Sequence, residues 1–326
     1  MKPPTATPPA RLIARLAVAT LTLAGLALWM HTPATAAVRT LAVATAQAFV
    51  EVTTGNNPTG QNHSCGLTAS GAAYCWGLDG SGQLGDGTTA NKNVPTLVSN
   101  PSGGAVQWSK ITAGGAHTCG ITTTNAAYCW GDNGGGQLGD GTTAAKNIPT
   151  LVSNPSGGPV TWSKIAAGSY HTCAITTTNA AYCWGTNNND QLGDGTTADR
   201  NVPTLVSNPS GGPVTWSQIA AGKTHTCAIT TNVAYCWGNN VVGQLGDGTT
   251  ADKNIPTLVS NPSGGAVQWS QIAAGNALTC ATSATYTAYC WGFNSYGQLG
   301  DGTTASKNVP TLVSNPSGGA VQWSQI

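Results

Sequence analysis

The chain has few charged residues and few residues that favour helices. Only 7% of its 326 residues are Asp, Glu, Lys or Arg, Phe and Met occur twice each, and glycine occurs 43 times. Thr, Asn and Ser are abundant, and this composition disfavours a helical protein. A helical bundle or an α-solenoid is therefore not expected.

The chain also lacks an excess of positive charge. Without its first 36 residues it carries 9 basic and 11 acidic residues, a formal net charge of −2. Proteins that bind nucleic acids or anionic membranes use clustered positive charge. The balance argues against both kinds of partner.

Only one long apolar run is present, at Leu16–Met30 near the N-terminus. Basic residues precede it and the small residues Ala34-Thr35-Ala36 follow, which is the pattern of a secretory signal peptide. An uncleaved membrane anchor is the alternative, but the run is shorter than the roughly 20 residues that span a bilayer. No cysteine lies beside the cleavage site, so a lipid anchor is not expected there.

The N-terminal pattern predicts three parts of the chain. Residues 1–36 form the signal peptide, residues 37–47 a linker, and residues 48–326 the folded domain. The mature protein is then secreted or held at the cell surface, with no membrane-spanning segment after cleavage.

The sequence Gln-Leu-Gly-Asp-Gly recurs five times at a nearly constant interval. Its aspartates are Asp86, Asp140, Asp194, Asp247 and Asp301, spaced 54, 54, 53 and 54 residues apart. A period of this length indicates a propeller or a solenoid. Each copy holds four short β-type runs separated by Gly, Asn and Thr turns, which favours an all-β propeller with four-stranded antiparallel blades.

The repeated motif resembles that of the regulator-of-chromosome-condensation repeat family. The resemblance rests on Trp-Gly-x-Asn-x-x-Gly-Gln-Leu-Gly-Asp-Gly with an upstream Ala-Gly-x-x-His, and it covers residues 50–326. It implies a propeller, typically of seven blades, that binds proteins through one face. The exchange-factor activity of a nuclear member does not carry over to an exported chain. The resemblance to a secreted bacterial β-lactamase inhibitory propeller of this family is more relevant.

Five copies do not show whether the blades form a closed ring. The first copy begins with Phe49-Val-Glu-Val52, and Gln322-Trp-Ser-Gln-Ile326 repeats the same strand at the other end. In a closed ring of five blades both segments would compete for one position. An incomplete ring, from a fragment or an array of variable length, is therefore favoured over a closed one.

All ten cysteines lie in the repeats, one pair per copy. An even number in an exported protein indicates disulfides. The predicted pairs are Cys65–Cys75, Cys119–Cys129, Cys173–Cys183, Cys227–Cys236 and Cys280–Cys290.

The fourth copy supports this pairing because it is one residue shorter between its cysteines. If Cys119 faces Cys129, three residues form the hairpin turn. If Cys227 faces Cys236, the two residues Thr231 and Asn232 remain for the turn. The deletion thus shortens the turn and keeps the cysteines opposite each other, as a cross-strand disulfide requires. A metal site would need closer cysteine spacing.

Other recurring residues allow a chemical and a structural interpretation. His63, His117, His171 and His225 precede the first cysteine of each pair by two, but Leu278 stands there in the fifth copy, which favours a structural hydrogen bond over catalysis or zinc binding. The Gly-Asp-Gly aspartates lack the acidic spacing of a calcium loop and fit a turn. The paired tryptophans fit packing between blades. No catalytic, cofactor or metal site is predicted, and the protein is not expected to be an enzyme.

The copies differ mainly in two loops, one before the histidine position and one after Trp-Gly. In an antiparallel sheet these loops emerge at the same end. The apolar residues that they contain are the candidate partner-binding residues, Leu78, Tyr170, Val241, Val242, Phe293 and Tyr296.

The sequence therefore favours a secreted protein-binding module with an extracellular protein as its partner. Drift of Gly- and Asn-rich turns would leave similar variation in the loops. A structural or adhesive surface protein remains the main alternative, followed by a carbohydrate-binding or hydrolytic propeller.

Overall fold

The computed structural model describes residues 48–55, 57, 62–316 and 319–326. They lie in one compact unit, Gln47–Ile326. The predicted signal peptide at 1–36 and linker at 37–47 fall outside the described residues, as does most of the variable loop from Asn56 to Asn62. The described part of the chain contains no helix long and apolar enough to cross a membrane.

The described residues form five four-stranded antiparallel sheets, and each sheet is built from one repeat with its strands in chain order. We call these sheets blades 1 to 5. The strands are β1 (Phe49–Thr54), β2 (His63–Thr68), β3 (Ala73–Gly77) and β4 (Lys92–Leu97) in blade 1, β5 (Trp108–Ala113), β6 (His117–Thr122), β7 (Ala127–Gly131) and β8 (Lys146–Leu151) in blade 2, β9 (Trp162–Ala167), β10 (His171–Thr176), β11 (Ala181–Gly185) and β12 (Arg200–Leu205) in blade 3, β13 (Gln218–Ala221), β14 (His225–Ile229), β15 (Ala234–Gly238) and β16 (Lys253–Leu258) in blade 4, and β17 (Trp269–Ala274), β18 (Leu278–Ser283), β19 (Ala288–Gly292) and β20 (Lys307–Leu312) in blade 5. The all-β fold class predicted from the repeat is confirmed.

The first strand of each blade lies innermost. The strands β1, β5, β9, β13 and β17 contact one another in succession, and the second strand of each of blades 1 to 4 packs against the first strand of the next blade. The fourth strand is the outer edge of each sheet, and it carries a proline in every blade, for example Pro149 in β8. Proline has no backbone N–H, which protects this edge from pairing with another strand.

Between consecutive blades, an indole packs on a glycine. Trp130 of blade 2 is fully buried against Leu84 and Val98 of blade 1. Gly85 has a φ of +70°, and a Cβ there would lie 2.5 Å from Trp130 Nε1. The same contact joins Gly139 to Trp184, Gly193 to Trp237 and Gly246 to Trp291. The tryptophans are therefore packing groups between blades, as the sequence indicated.

The ring is incomplete in the described residues. Four hydrophobic cores join blades 1 and 2, 2 and 3, 3 and 4, and 4 and 5. Within the described ranges no such core joins blade 5 to blade 1, and no strand of one packs extensively on the other. Of the two possibilities that five repeats left open, the structure has the incomplete ring.

Each blade contains a disulfide between its second and third strands. Cys119 and Cys129 face each other in the register of β6 and β7, with Cα atoms 4.1 Å apart. The other four bonds are Cys65–Cys75, Cys173–Cys183, Cys227–Cys236 and Cys280–Cys290. In blade 4, Thr230 N donates to Val233 O at 2.9 Å and leaves Thr231 and Asn232 as the turn. The shorter fourth copy thus keeps the cysteines opposite each other.

A buried histidine links each of blades 1 to 4 to the next blade. His63 Nε2 lies 2.7 Å from Thr118 Oγ1, and the Thr118 hydroxyl donates its hydrogen to Gln83 O. The imidazole must therefore donate from Nε2, since the threonine hydrogen is already used. The equivalent pairs are His117 with Thr172, His171 with Thr226, and His225 with Thr279. The partner in each case is a threonine on the second strand of the neighbouring blade.

These histidines are neutral in the folded protein. Burial lowers the pKa of His63 and His171 to about 3 and that of His117 and His225 to about 4. The four Nδ1 atoms are buried and have no hydrogen-bond partner. A second proton would therefore place an N–H where nothing accepts it, and the charged form is disfavoured.

We expect the protein to lose stability in mild acid. The unfolded chain binds protons on these histidines below about pH 6.5, whereas the folded chain does not until the pH approaches their lowered pKa. The contribution of these histidines to stability is thus complete above about pH 6.5 and is lost as the pH falls towards their lowered pKa. As the pH falls from 6 to 4.5, each histidine lowers the free energy of unfolding by about 1.4 kcal/mol per pH unit. Urea denaturation at several pH values measures this slope.

The variant His117→Leu isolates the effect, because Leu278 occupies the same position in blade 5. Its unfolding free energy should depend less steeply on pH, by the contribution of one histidine. An unchanged slope would show that His117 is protonated in the folded state.

A buried side chain anchors the connection between the third and fourth strands. Asn133 Nδ2 donates to Asp140 Oδ1 and to Thr142 O, each at 3.1 Å, while Asn133 Oδ1 accepts a hydrogen bond from Leu138 N. Asn187, Asn240 and Asn294 make the same contacts. One amide thus holds both sides of this loop and positions its tip.

In blade 1 the anchor is Asp79. It is fully buried, accepts from Leu84 N at 2.9 Å and has no amide hydrogens to give. Burial raises the pKa of Asp79, and the neighbouring Asp86 carboxylate raises it further. Blade 1 therefore has the weakest loop anchor of the five.

We expect Asp79→Asn to stabilise the protein by about 1 kcal/mol at pH 7, because the amide restores donors to the loop oxygens. The gain should shrink as the pH falls through the raised pKa of Asp79, since a protonated carboxyl also donates. Denaturant unfolding of both proteins at pH 7 and pH 4.5 measures it. Asn133→Asp is the matched control and should destabilise; equal effects of the two variants would contradict the assignment.

Candidate interaction surface

The two variable loops of each blade lie side by side. Backbone hydrogen bonds join them directly: Thr186 N donates to Tyr170 O at 3.0 Å, and Phe293 N donates to Ala277 O at 2.9 Å. The same bond links Asp132 to Ala116 in blade 2 and Asn239 to Thr224 in blade 4. The loops before the second strand and after the third strand therefore share one end of each blade. We call this end of the five blades the loop face.

The glutamine of Gln-Leu-Gly holds the tip of the second loop. Gln137 Oε1 accepts from Gly135 N at 2.8 Å, and Gln137 Nε2 donates to Asp132 Oδ2 at 2.7 Å. Gln244 makes the same bonds to Val242 N and Asn239. The glutamine bonds only to the loop backbone and to the side chain of the first loop residue. The other side chains of the loop can therefore vary.

Three of the six candidate partner-binding residues are exposed on the loop face. Tyr170 is 39% exposed, Val241 65% and Tyr296 88%. They belong to blades 3, 4 and 5 respectively. A large apolar side chain exposed to this extent contributes binding energy when a partner covers it.

The other three candidates are half-buried. Leu78, Val242 and Phe293 are each of intermediate exposure, and the Phe293 ring lies edge-on to that of Tyr296 with centroids 6.0 Å apart. The exposed apolar residues of the loop face therefore concentrate on blades 3 to 5.

Asp190 is a feature of the loop face that the sequence did not single out. It has a φ of 63°, in the position that is glycine in the other four copies. Its Oδ1 atom is buried without a hydrogen-bond partner. Burial raises the pKa of this carboxyl, and Asp252 and Asp194 raise it further. Strained backbone and an unpaired carboxylate oxygen are features of functional sites, and the signal in the sequence is the exchange of glycine for aspartate.

Within the described residues, the buried histidines and the Gly-Asp-Gly aspartates each have hydrogen-bond or ion-pair partners in the framework. The four histidines lie between blades with their Nε2 atoms on threonines. The Gly-Asp-Gly aspartates face Thr and Lys or Arg of their own loop, as in the pair of Asp194 and Arg200 at 2.8 Å. In the described part of the chain no group of three or more His, Cys, Asp or Glu side chains is placed to hold a metal ion. The exposed side chains of the loop face form a surface that a partner can contact.

The repeats match the model of the regulator of chromosome condensation (RCC1) repeat at residues 70–121, 125–175, 179–229, 233–282 and 287–326. Among curated proteins, the chain is 31% identical over 255 residues to the ultraviolet-B receptor UVR8 of Arabidopsis thaliana, covering 78% of this chain and 56% of the receptor. It is 32% identical over 206 residues to the human E3 ubiquitin-protein ligase HERC2, covering 63% of this chain and 4% of the ligase. The chain thus spans about half or less of these relatives.

Solved structures share the fold at lower identity. Human WBSCR16 superposes with a TM-score of 0.67 at 22% identity, over 78% of this chain and 65% of that one. Yeast RCC1 (Prp20), solved bound to Kap60, gives a TM-score of 0.51 at 17% identity, over 78% and 73%. With five matched repeats covering more than half of its length, the chain belongs to the regulator of chromosome condensation repeat family.

Proposed function

We propose that the protein is an exported, non-enzymatic binding module that holds an extracellular partner protein on its loop face. The observation that carries this proposal is the exposure of Tyr170, Val241 and Tyr296 on one face of three adjacent blades. The framework beneath them is rigid, because disulfides and buried hydrogen bonds fix each blade. A rigid surface with exposed aromatic and aliphatic side chains binds a protein at a low entropic cost.

The family supports an interaction role. RCC1-repeat propellers are mainly interaction and regulatory domains, and yeast RCC1 was solved bound to Kap60. A second structure of that protein concerns its binding to Gsp1p and histones. These partners belong to the yeast protein. For this chain, they support only the idea that a propeller of this family can bind a protein on its surface.

Export supports an extracellular partner. Five disulfides, one in each blade, are typical of proteins in an oxidising environment. The N-terminal sequence up to Ala36 has the pattern of a secretory signal. A secreted or surface-held protein meets its partners outside the cytoplasm.

The composition of the surface points to the partner's chemistry. The exposed residues Tyr170, Val241 and Tyr296 are apolar or aromatic, and Asp190 adds an acidic group whose pKa is raised by burial. An apolar patch with a neutral or weakly basic rim fits such a surface. Bound glycan would instead need several convergent polar side chains.

We expect the triple substitution Tyr170→Ala, Val241→Ser and Tyr296→Ala to abolish the capture of a specific protein from the medium of the producing cells. Removing three exposed apolar anchors should weaken binding by at least about 100-fold, since anchor residues contribute about 2 kcal/mol or more each. Pull-down with mass spectrometry identifies the partner, and calorimetry with the purified partner measures the affinity.

A matched control replaces Leu151, Leu205 and Leu258 with Ser. These residues lie on the fourth strands and are also about half exposed, but they are outside the loop face. The control should bind like the original protein. Capture that survives the loop-face substitutions would contradict the proposal. Retention at the cell surface independent of both variants favours the structural or adhesive alternative, and binding on a glycan array favours the carbohydrate alternative.

A further inference from the structure

The end of the blades opposite to the loop face carries no charged residue in its turns and connections. The turns between second and third strands lie at 69–72, 123–126, 177–180, 231–233 and 284–287, and the connections between blades lie at 98–107, 152–161, 206–215 and 259–268. These segments contain only Gly, Pro, Ala, Val, Ser, Thr, Asn, Gln and one Tyr. We call this end the turn face. Because its segments offer no ionic contact, we expect a ligand of the turn face to be uncharged.

The turn of blade 5 has an unusual residue at its most constrained position. Tyr286 has a φ of 62°. The equivalent residues Gly71, Asn125 and Asn179 also have a positive φ, but glycine and asparagine adopt this conformation readily, whereas a bulky side chain does not. The tyrosine therefore makes the turn less stable. Backbone strain of this kind is concentrated at functional sites.

The side chain of Tyr286 is available to a ligand. It is 50% exposed. Asn125 and Asn179 are also exposed, although another blade follows each of them. Exposure is thus a property of this position in the turn. Blade 5 presents an aromatic ring where the other blades present a small side chain.

A cleft lies beside this turn. It has a volume of about 430 Å³ and is lined by Gly264 and Gln268 of the connection from blade 4 and by Ala284 and Thr285 of the turn. Ala284 N donates to Gln268 O at 2.8 Å and joins the two sides. Tyr286 is the next residue after Thr285. The aromatic ring and the cleft therefore belong to one short turn.

The lining of the cleft differs from the equivalent place in blade 3. There, Thr161 Oγ1 and Thr177 Oγ1 lie 2.7 Å apart and bridge the two sides. The matching residues of blade 5 are Gln268 and Ala284. Since Ala284 has no hydroxyl group, it cannot form this bond. The exposed carboxamide of Gln268 can then donate to a ligand and accept from it.

Thr285 offers a hydroxyl hydrogen at the other side of the cleft. Ser283 Oγ accepts from Thr285 N at 3.2 Å and from Thr287 N at 3.0 Å, and it lies 2.9 Å from Thr285 Oγ1. Because the two N–H groups occupy its lone pairs, Ser283 donates its own hydrogen to Thr285 Oγ1. The exposed Thr285 hydroxyl therefore keeps its hydrogen for a group outside the turn.

We propose that the cleft beside Tyr286 binds a neutral glycan, with one sugar ring stacked on the tyrosine ring and sugar hydroxyls bonded to Gln268 and Thr285. A pyranose ring has an apolar C–H face and a rim of hydroxyl groups. These match an aromatic ring that lies beside amide and hydroxyl groups. The site goes beyond the loop face, because it lies at the other end of the blades and leaves the loop face free for a partner protein.

The lining favours a glycan over a peptide. Proline-rich peptides also bind uncharged grooves, but those grooves are lined by several aromatic side chains. The other tyrosine of this cleft, Tyr289, is half-buried, and its ring lies edge-on to that of Trp269 with centroids 5.5 Å apart. Only Tyr286 is exposed enough to stack on a ligand.

The substitution Tyr286→Asn tests this site. It introduces the residue that blades 2 and 3 have at this position, so the turn should keep its conformation and the protein should unfold at no lower temperature. Saturation-transfer NMR with neutral tetrasaccharides of glucose, mannose, galactose and N-acetylglucosamine identifies a probe that binds, and calorimetry measures its affinity. We expect Tyr286→Asn to weaken this binding by at least about 10-fold. The charged tetragalacturonate should not bind.

Controls separate this site from the loop face. Ala284→Thr restores the hydroxyl found in blade 3 and should also weaken glycan binding, because that hydroxyl can bond to Gln268. The triple substitution in the loop face should leave glycan binding unchanged, and Tyr286→Asn should leave the capture of a partner protein unchanged. The failure of one proposal is therefore distinguishable from the failure of the other.

Four results would overturn the proposal. The first is that none of the neutral tetrasaccharides binds, and the second is that the bound one binds equally well to Tyr286→Asn. The third is binding of tetragalacturonate as tight as that of the neutral probes. The fourth is glycan binding that the loop-face substitutions abolish, which would assign it to the loop face. A proline-rich peptide that binds in place of every glycan would assign the cleft to a peptide and contradict the proposal as well.

Discussion

The packing of an indole on a glycine across each blade boundary is the contact on which the rest of the structure depends. Trp130 comes from the Trp-Gly sequence of one repeat, and Gly85 comes from the Gln-Leu-Gly-Asp-Gly sequence of the preceding one. The two most recognisable motifs are therefore the two halves of one interface. Any side chain at Gly85 would overlap the ring, and truncation of a buried tryptophan typically costs about 3–5 kcal/mol. Because each blade supplies one half to each neighbour, no blade completes its core alone, and the array is stabilised by its boundaries.

Hydrogen bonds between polar groups at these boundaries fix the orientation of neighbouring blades, which the apolar contact alone does not specify. The hydrogen bond from His63 to Thr118 and the one from Thr118 to Gln83 fix the height and rotation of one blade against the next. Such a buried chain tolerates little change, since an unpaired polar group in the interior is costly. The framework therefore stays nearly constant among the repeats, whereas the loop face, which the disulfides and the glutamine side chains hold from below, is free to vary.

Much of the fold could be read from the sequence because it is local. The four β-type runs, the turn shortened by one residue in the fourth copy and the loops that share an end all follow from spacing within one repeat. The exposure of the candidate residues does not. Leu78, Val242 and Phe293 are half-buried, although Val242 occupies the same loop position as the exposed Tyr296. The positive φ of Asp190 is indicated in the sequence only by the replacement of one glycine.

The sequence by itself determined the repeat, the blade and its cross-strand cysteines, since hydrogen-bond register and turn length depend on residues close together in the chain. Only the tertiary structure decided which groups meet across blade boundaries, because those partners lie about one repeat apart: His63 reaches Thr118, and Gly85 lies under Trp130. It also decided that, among the described residues, cores join only consecutive blades and none joins blade 5 to blade 1. The sequence of one repeat supplies the residues for its contact with the next repeat. Which of these residues meet is seen only when the repeats are packed together in the folded chain.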